Sequence, residues 1–269
     1  MQMASYAPDH FNWQMNGRVA IISLKGAARK NPLTFASYAQ LRDCFRDIAQ
    51  AEDVKAVVFA SHAGNFCSGG DVRDIIGPLL QKNHDELLAF TRMTGDVVQA
   101  IRECGRPVIA AVEGVCVGAG AVLALAADIR FASLSARTAF LFARMGLSGC
   151  DMGAGALLPR LIGEGRAREL LFSGRTLSIE EGLSWGFYNR VLPAEELLST
   201  AIEYAQELAA GPTFAHKVTK ETLNREWTMT LAEALEAEAR AQARCMQTKD
   251  FRRAYQAFLA GETPDFQGD

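Results

Sequence analysis

Two glycine-rich turns, about fifty residues apart, carry the backbone groups of this chain that could do chemistry. The first, Asn65–Asp71, follows the apolar run Ala56–Ala60. The second, Gly114–Gly120, follows the apolar run Val108–Ala111 and leads into an alanine- and leucine-rich segment. Small residues at a strand-to-helix turn leave backbone N–H groups open at a helix N-terminus, where they can polarise a carbonyl. Two such turns can each supply one N–H group to a single oxygen atom.

Two carboxylates are candidates for acid–base chemistry beside the second turn. Asp151, in the stretch SGCDMG, directly precedes a predicted helix. It could cap that helix, or it could shuttle a proton with a pKa raised by burial, and both interpretations stay open. Glu113 directly precedes the second turn and could point into the same pocket. It could equally form an ion pair with Arg130 or Arg144.

The remaining reactive side chains predict no further site. Six cysteines and four histidines are scattered without the spacing of metal ligands, so no metal is expected. Cys116 and Cys150 flank the pocket without a nearby histidine and are interpreted as inert thiols. Unpaired cysteines and an N-terminus that lacks the features of a signal peptide favour a cytoplasmic protein.

Composition excludes some classes of partner. The 269-residue chain has a net charge of −3 and contains no Lys/Arg-rich block. Neither nucleic acid nor a membrane surface is therefore expected as a partner. The most apolar segment, 108–127, is interrupted by Glu113 and by glycines, which favours a buried element over a membrane span.

The elements that must position these groups alternate between strand and helix as far as about residue 145. Beyond about residue 155 the chain is predicted to be nearly all helix, so we expect an α/β core followed by a helical C-terminal region. Residues 1–12 are expected to form a loose arm. Strands are predicted over 18–24, 54–61, 108–111, 129–132 and 138–142. Helices are predicted over 34–51, 71–77, 82–104, from about 121, and over 152–162, 166–173, 179–186, 195–208, 213–247 and 250–259. The C-terminal helices could pack on their own core or bury a subunit interface.

Four motifs, taken in order, suggest a family. They are Phe66–Val72, Pro107–Gly120 followed by Asp128–Arg130, Leu158–Gly163 and Phe172–Arg175. This order resembles the crotonase (enoyl-CoA hydratase/isomerase) superfamily over roughly residues 18–268. The resemblance implies an α/β fold of the ClpP/crotonase type, a spiral of ββα units over residues 1–200 with a helical trimerisation region over 201–269. It also implies a homotrimer or a dimer of trimers, and a coenzyme A thioester as substrate with no permanently bound cofactor.

The resemblance also assigns residues. The family's oxyanion hole consists of two backbone N–H groups, which are placed at Ser68 and Ala119. The residues placed against coenzyme A are Ala28, Lys30, Ser68, Gly70, Asp71, Val72 and, over the adenine of a neighbouring subunit, Phe258. Asp71 and Lys30 also have simpler interpretations, as a helix cap and as an exposed loop residue.

The chain departs from the family at the two glutamates with which hydratases add water. Val122 and Arg144 occupy those positions, so ordinary syn-hydration is not expected. Arg144 could hold a substrate carboxylate or lie on the surface. The catalytic candidates are then Ser68, Ala119, Asp151 and Glu113.

Three functions follow from this set of candidates. The first is proton transfer in an unsaturated acyl-CoA, either isomerisation or an atypical hydration or dehydration. The second is binding of acyl-CoA without catalysis. The third is thioester hydrolysis, C–C lysis or dehalogenation with Asp151 as nucleophile or base. Aromatic residues near the pocket are compatible with a bulky acyl group or with core packing: Phe66, Phe140, Phe142 and Trp185.

Overall fold

A computed structural model describes residues 1–269 and shows nine strands and eleven helices. The strands are β1 Phe11–Asn16, β2 Val19–Leu24, β3 Ala56–Ser61, β4 Val108–Val112, β5 Val115–Val117, β6 Ile129–Ser133, β7 Arg137–Ala139, β8 Thr176–Leu177 and β9 Arg190–Leu192. The helices are α1 Phe35–Gln50, α2 Gly77–Leu79, α3 His84–Glu103, α4 Ala119–Ala126, α5 Ala154–Ile162, α6 Glu164–Ser173, α7 Ile179–Ser184, α8 Ala194–Ala210, α9 Thr213–Glu226, α10 Leu231–Met246 and α11 Lys249–Ala260.

The strands form two sheets. Six of them pair in the order β1-β2-β3-β4-β6-β9, in which only the β1–β2 pair is antiparallel. The other three pair in the order β5-β7-β8. After β4 and again after β6, the chain adds a short strand to the second sheet before it enters a helix. This repeated strand-strand-helix path is the predicted spiral of ββα units.

The large sheet is buried on both faces. One face belongs to a core of 48 buried residues, which includes every residue of α4 except Gly120. The other face packs against α8 in a second cluster of 12 buried residues. The apolar character of Val108–Val112 follows from this, because a parallel strand that is covered on both sides needs no polar face.

The N-terminal segment is not the loose arm expected from the sequence. Met3 is buried, and its amide donates to Asp53 Oδ2 at 2.7 Å. The edge strand β1 begins at Phe11, whose side chain is also buried. The strict alternation of apolar and polar residues over Phe11–Asn16 is the pattern of a half-buried strand, so the sequence did carry a local signal for β1.

Several predicted element boundaries were wrong. The strand expected over 138–142 is only Arg137–Ala139, and a 3-10 turn occupies Leu141–Met145. The helix expected over 71–77 is a single π-type turn, Val72–Ile76, that continues into α2. The short strands β5, β8 and β9 were not predicted, since two or three residues are too few to show alternation.

The C-terminal region is helical, as expected, but the helix predicted over 213–247 is two helices. The chain leaves α9 after Glu226, and Thr230 caps α10 with a hydrogen bond from the Glu233 amide. The expected division at residue 200 falls within α8, which packs on the sheet through Leu197 and Ala201. We therefore place the start of the C-terminal helical region after α8. No helix in the structure is both long enough and apolar enough to cross a membrane.

Candidate active site

The two glycine turns pack directly against each other. The Cys67 amide donates to Val115 O, and the Val117 amide donates to Cys67 O, each at 2.9 Å. A Cβ atom on Gly120, in the first turn of α4, would lie 2.6 Å from Cys67 Cβ, closer than any two such atoms approach. Glycine is therefore required at position 120, because α4 begins in contact with the first turn.

The free amide of the first turn is that of Gly70, not that of Ser68. The Ser68 amide already donates to Lys30 O at 2.9 Å, and the Asp71 amide donates to Leu33 O at 2.8 Å. The Gly70 amide, between these two residues, has no hydrogen-bond acceptor in the protein. Because its amide is already bonded, Ser68 is less suited than Gly70 to the role of oxyanion donor that the resemblance assigns to it.

Ala119 supplies the second free amide. It is the first residue of α4, so its N–H group has no acceptor within the helix, and no side chain caps this end. A Cβ on Gly69 would lie only 3.5 Å from Ala119 N, which places the first turn against this amide. The two open amides, of Gly70 and Ala119, thus belong to turns that pack against each other.

Asp71 holds the first turn in place. Its Oδ1 accepts the amides of Arg73 and Asp74 at 2.9 and 3.0 Å, which caps the π-type turn, and its Oδ2 accepts a hydrogen bond from Arg29. These backbone hydrogen bonds, followed by the positive charge of Arg29, lower the pKa of Asp71 below its usual range. Asp71 is buried and fully bonded, so it acts as the predicted cap and orients the residues beside it.

The predicted coenzyme A contacts separate into two groups. The loop that contains Ala28 and Lys30 lies against the first turn, since Lys30 O accepts the Ser68 amide and Arg29 O accepts Ser68 Oγ. Val72 follows this turn and is 67% exposed. Phe258 lies apart from them on α11 and is 83% exposed.

Asp151 is a half-buried carboxylate that does not cap α5. The N-cap of α5 is Gly153, without a side-chain hydrogen bond, whereas Asp151 Oδ1 accepts the amide of its neighbour Met152 at 2.9 Å. The interpretation of Asp151 as a helix cap was therefore wrong. Burial raises its pKa above the usual value. Met152 has a φ of +51°, and left-handed backbone of this kind in residues other than glycine clusters at functional sites.

The alternative ion pairs of Glu113 do not form. Arg130 is buried and donates to backbone carbonyl groups, including Phe187 O at 2.7 Å and Ala127 O at 2.6 Å. Arg144 is exposed and donates to Ser173 O at 3.1 Å. Glu113 lies at the start of β5, with its side chain beside Gly64, whereas Ala119 follows the other end of this strand.

Neither position to which the family resemblance assigns a hydratase glutamate carries a carboxylate. Val122 is fully buried in α4, and Arg144 lies on the surface. The aromatic residues considered for an acyl pocket belong mainly to the core: Phe66 packs on Phe59, and Phe140 packs on Phe187. Burial raises the pKa of the Cys116 thiol, as expected for an inert cysteine.

The ββα spiral, with a helical C-terminal region, defines a protein of the crotonase fold. A family model described as enoyl-CoA hydratase/isomerase matches residues 14–269. The 1,2-epoxyphenylacetyl-CoA isomerase of Escherichia coli K12 is 33% identical, over 93% of this chain and 95% of its own length. The human mitochondrial Delta(3,5)-Delta(2,4)-dienoyl-CoA isomerase is 29% identical, over 93% of this chain and 80% of its own length. A crystal structure of a Streptomyces coelicolor A3(2) protein has a TM-score of 0.95 and 44% identity, with 98% of each chain covered.

The chain belongs to the enoyl-CoA hydratase/isomerase family, whose members act on coenzyme A thioesters.

Proposed function

We propose that this protein is an acyl-CoA isomerase that moves a proton along an enolised thioester. The amides of Gly70 and Ala119 bind the thioester oxygen, and Asp151 removes a proton from one carbon and returns it to another. The observation that carries the proposal is the packing of two unbonded amides in adjacent turns, in a chain with one half-buried carboxylate of raised pKa.

The two amides supply the electrostatic part of this reaction. When a proton leaves the acyl chain, negative charge develops on the thioester oxygen. Fixed N–H donors stabilise such charge without reorganising, and the loss of one donor typically costs about 3–4 kcal/mol of activation free energy. Because α4 begins at Ala119, its N-terminus adds a partial positive charge at the same place.

Asp151 supplies the acid–base part. A carboxylate whose pKa is raised can both accept a proton and give it back. One such group is enough to move a double bond, whereas hydration also needs a group that holds and activates water. Since Val122 and Arg144 stand where hydratases carry glutamates, isomerisation fits these residues better than hydration.

Turnover of unsaturated thioesters tests the proposal. Wild-type protein should convert a 3-enoyl-CoA or a dienoyl-CoA to its conjugated isomer, with little hydration of crotonyl-CoA. Loss of acid–base catalysis in Asp151→Asn should lower kcat by roughly 100-fold or more. Asp96→Asn is the matched control, because Asp96 is a partly exposed carboxylate on α3 that faces Arg46. It should leave the rate unchanged.

Two other outcomes would replace the proposal. Binding of acyl-CoA with no turnover of any thioester would indicate a non-catalytic member of the family. Incorporation of ¹⁸O from solvent into Asp151 after a single turnover would indicate a nucleophilic carboxylate, as in hydrolysis or dehalogenation. Equal rates in wild type and Asp151→Asn would remove Asp151 from the mechanism.

A further inference from the structure

Tyr38 is a buried tyrosine whose hydroxyl group reaches the space beside the first glycine turn. The residue lies on the first turns of α1 and is only 2% exposed. Its hydroxyl oxygen is 3.9 Å from the position that a Cβ on Gly70 would occupy. Tyr38 therefore brings a polar side-chain atom to the residue that carries the free amide.

The ring is held in place by its neighbours. A reciprocal capping box between Thr34 and Ser37 fixes the start of α1, one residue before Tyr38. Phe90 of α3 packs edge-on against the Tyr38 ring, with 6.3 Å between the ring centroids. The hydroxyl group is thus positioned by two packed helices, which is the kind of support that catalytic groups need.

The hydroxyl group has no partner within the protein. Five buried side-chain polar atoms lack a hydrogen bond, and the Tyr38 hydroxyl is not among them. Since no protein group bonds it either, this oxygen must reach accessible space. Water can bond this oxygen in the free protein, and a bound molecule that displaces the water can take its place.

The charge of Asp151 also reaches this hydroxyl. Burial raises the pKa of Tyr38 well above its usual value, and the negative charge of Asp151 raises it further. The hydroxyl therefore remains protonated and can donate a hydrogen bond throughout the physiological pH range. It stands beside Gly70, whose amide is free.

We propose that Tyr38 is a catalytic residue whose hydroxyl donates a hydrogen bond to the oxygen of the enolised thioester, as a third donor beside the two amides. The inference rests on the proposed function, since it assumes that an enolate forms at this site. The Tyr38 hydroxyl belongs to α1 and not to either glycine turn. Its hydrogen bond to the oxygen would therefore be additional to those from the two amides.

The test is Tyr38→Phe, which deletes the hydroxyl and keeps the ring against Phe90. The probe is acetoacetyl-CoA, whose enolate absorbs in the near ultraviolet whereas its keto form does not. The variant loses the hydrogen bond from the Tyr38 hydroxyl to the charged enolate oxygen. The enolate-to-keto ratio of the bound probe should therefore fall by about 10- to 100-fold, and so should the kcat for isomerisation. The Kd of a saturated acyl-CoA should change by less than about twofold, because its ground state carries little charge.

Tyr188→Phe is the matched control. Tyr188 is equally buried, but its hydroxyl is bonded to Thr138 Oγ1 at 2.7 Å. This control should lower the melting temperature and leave the enolate ratio unchanged. Tyr38→Phe should show the opposite pattern, with unchanged or higher stability, because the deleted hydroxyl has no protein partner.

The outcomes separate the two proposals. If wild-type protein binds acetoacetyl-CoA only in its keto form, enolate stabilisation fails and the role of Tyr38 fails with it. If wild type binds the enolate and Tyr38→Phe binds it equally well, only the role of Tyr38 is overturned. A fall in melting temperature with unchanged enolate ratio would assign Tyr38 to packing alone.

Discussion

At the scale of single residues, the site depends on which polar groups the fold leaves without a partner. The amides of Ser68 and Asp71 donate hydrogen bonds to the neighbouring loop, whereas the amide of Gly70 between them does not. Asp151 keeps a carboxylate half-buried without an opposing cation, since its one protein hydrogen bond comes from the Met152 amide. Groups held in this state are ready to interact with a substrate, and they lower the stability of the free protein.

Asp151 should show this cost as a dependence of stability on pH. Its folded pKa is raised, so the folded state binds a proton more readily than the unfolded state, in which the pKa is about 3.9. Between those two values the free energy of unfolding falls as the pH rises. At neutral pH the charged carboxylate therefore destabilises the fold, and Asp151→Asn should raise the melting temperature.

Thermal unfolding of both proteins across the acidic range checks this expectation. The gain in melting temperature of Asp151→Asn over wild type should be complete above the folded-state pKa of Asp151. It should vanish below about pH 3.9, where Asp151 is protonated in both the folded and the unfolded wild type. Asp96→Asn, at a partly exposed position, should show no such gain. A variant that is less stable than wild type at neutral pH would mean that Asp151 has a structural role.

At the scale of elements, α4 and the first glycine turn form one unit. Gly120 has no room for a side chain because Cys67 Cβ and Cys67 O would lie 2.6 and 2.7 Å from its Cβ. Any added atom must separate the turn from the helix. The same movement would separate the Gly70 and Ala119 amides.

Gly120→Ala should therefore lower both stability and activity. Overpacking of this kind typically costs about 1–3 kcal/mol, measured as the free energy of unfolding in urea. Gly95→Ala is the matched control, since a Cβ at that position in α3 meets nothing within 4 Å. It should stabilise the protein by roughly 0.5–1 kcal/mol, because alanine is the better helix former. Equal stability of the two variants would show that α4 can move without cost.

At the scale of the whole molecule, the α/β core and its helical C-terminal region could be predicted, whereas parts of the site could not. Long periodic segments such as α1 and α3 reveal themselves through the spacing of their apolar residues. Whether the Ser68 or the Gly70 amide is free depends on an isolated β-bridge between Leu33 and Gly70. Residues paired so far apart in the sequence leave no local pattern that could predict the bridge. The sequence also gives no sign of a role for Tyr38, because its spacing is that of an ordinary apolar residue on the buried face of a helix.

The C-terminal helices leave apolar side chains without cover in the single chain. Helix α10 has no buried residue, and its Leu231 and Leu235 are 77% and 56% exposed. On α11, Phe251, Tyr255 and Phe258 form an exposed stripe at helical spacing. Contiguous apolar surface of this kind marks an interaction site. We propose that it is buried between copies of this chain, in the homotrimer or dimer of trimers that the family resemblance implies.

Leu235→Glu tests this assembly, because a carboxylate buried between subunits without a partner is strongly unfavourable. Sedimentation velocity should give a trimer or a hexamer for wild type and a smaller species for Leu235→Glu. The matched control is Leu198→Glu on α8, which replaces a leucine that is 42% exposed outside this region, and it should keep the wild-type mass. If Phe258 covers the adenine of a neighbouring subunit, the dissociated variant should also bind acyl-CoA more weakly. A monomeric wild type at all concentrations would contradict the assembly, and it would leave the exposed stripe of α11 to a different partner.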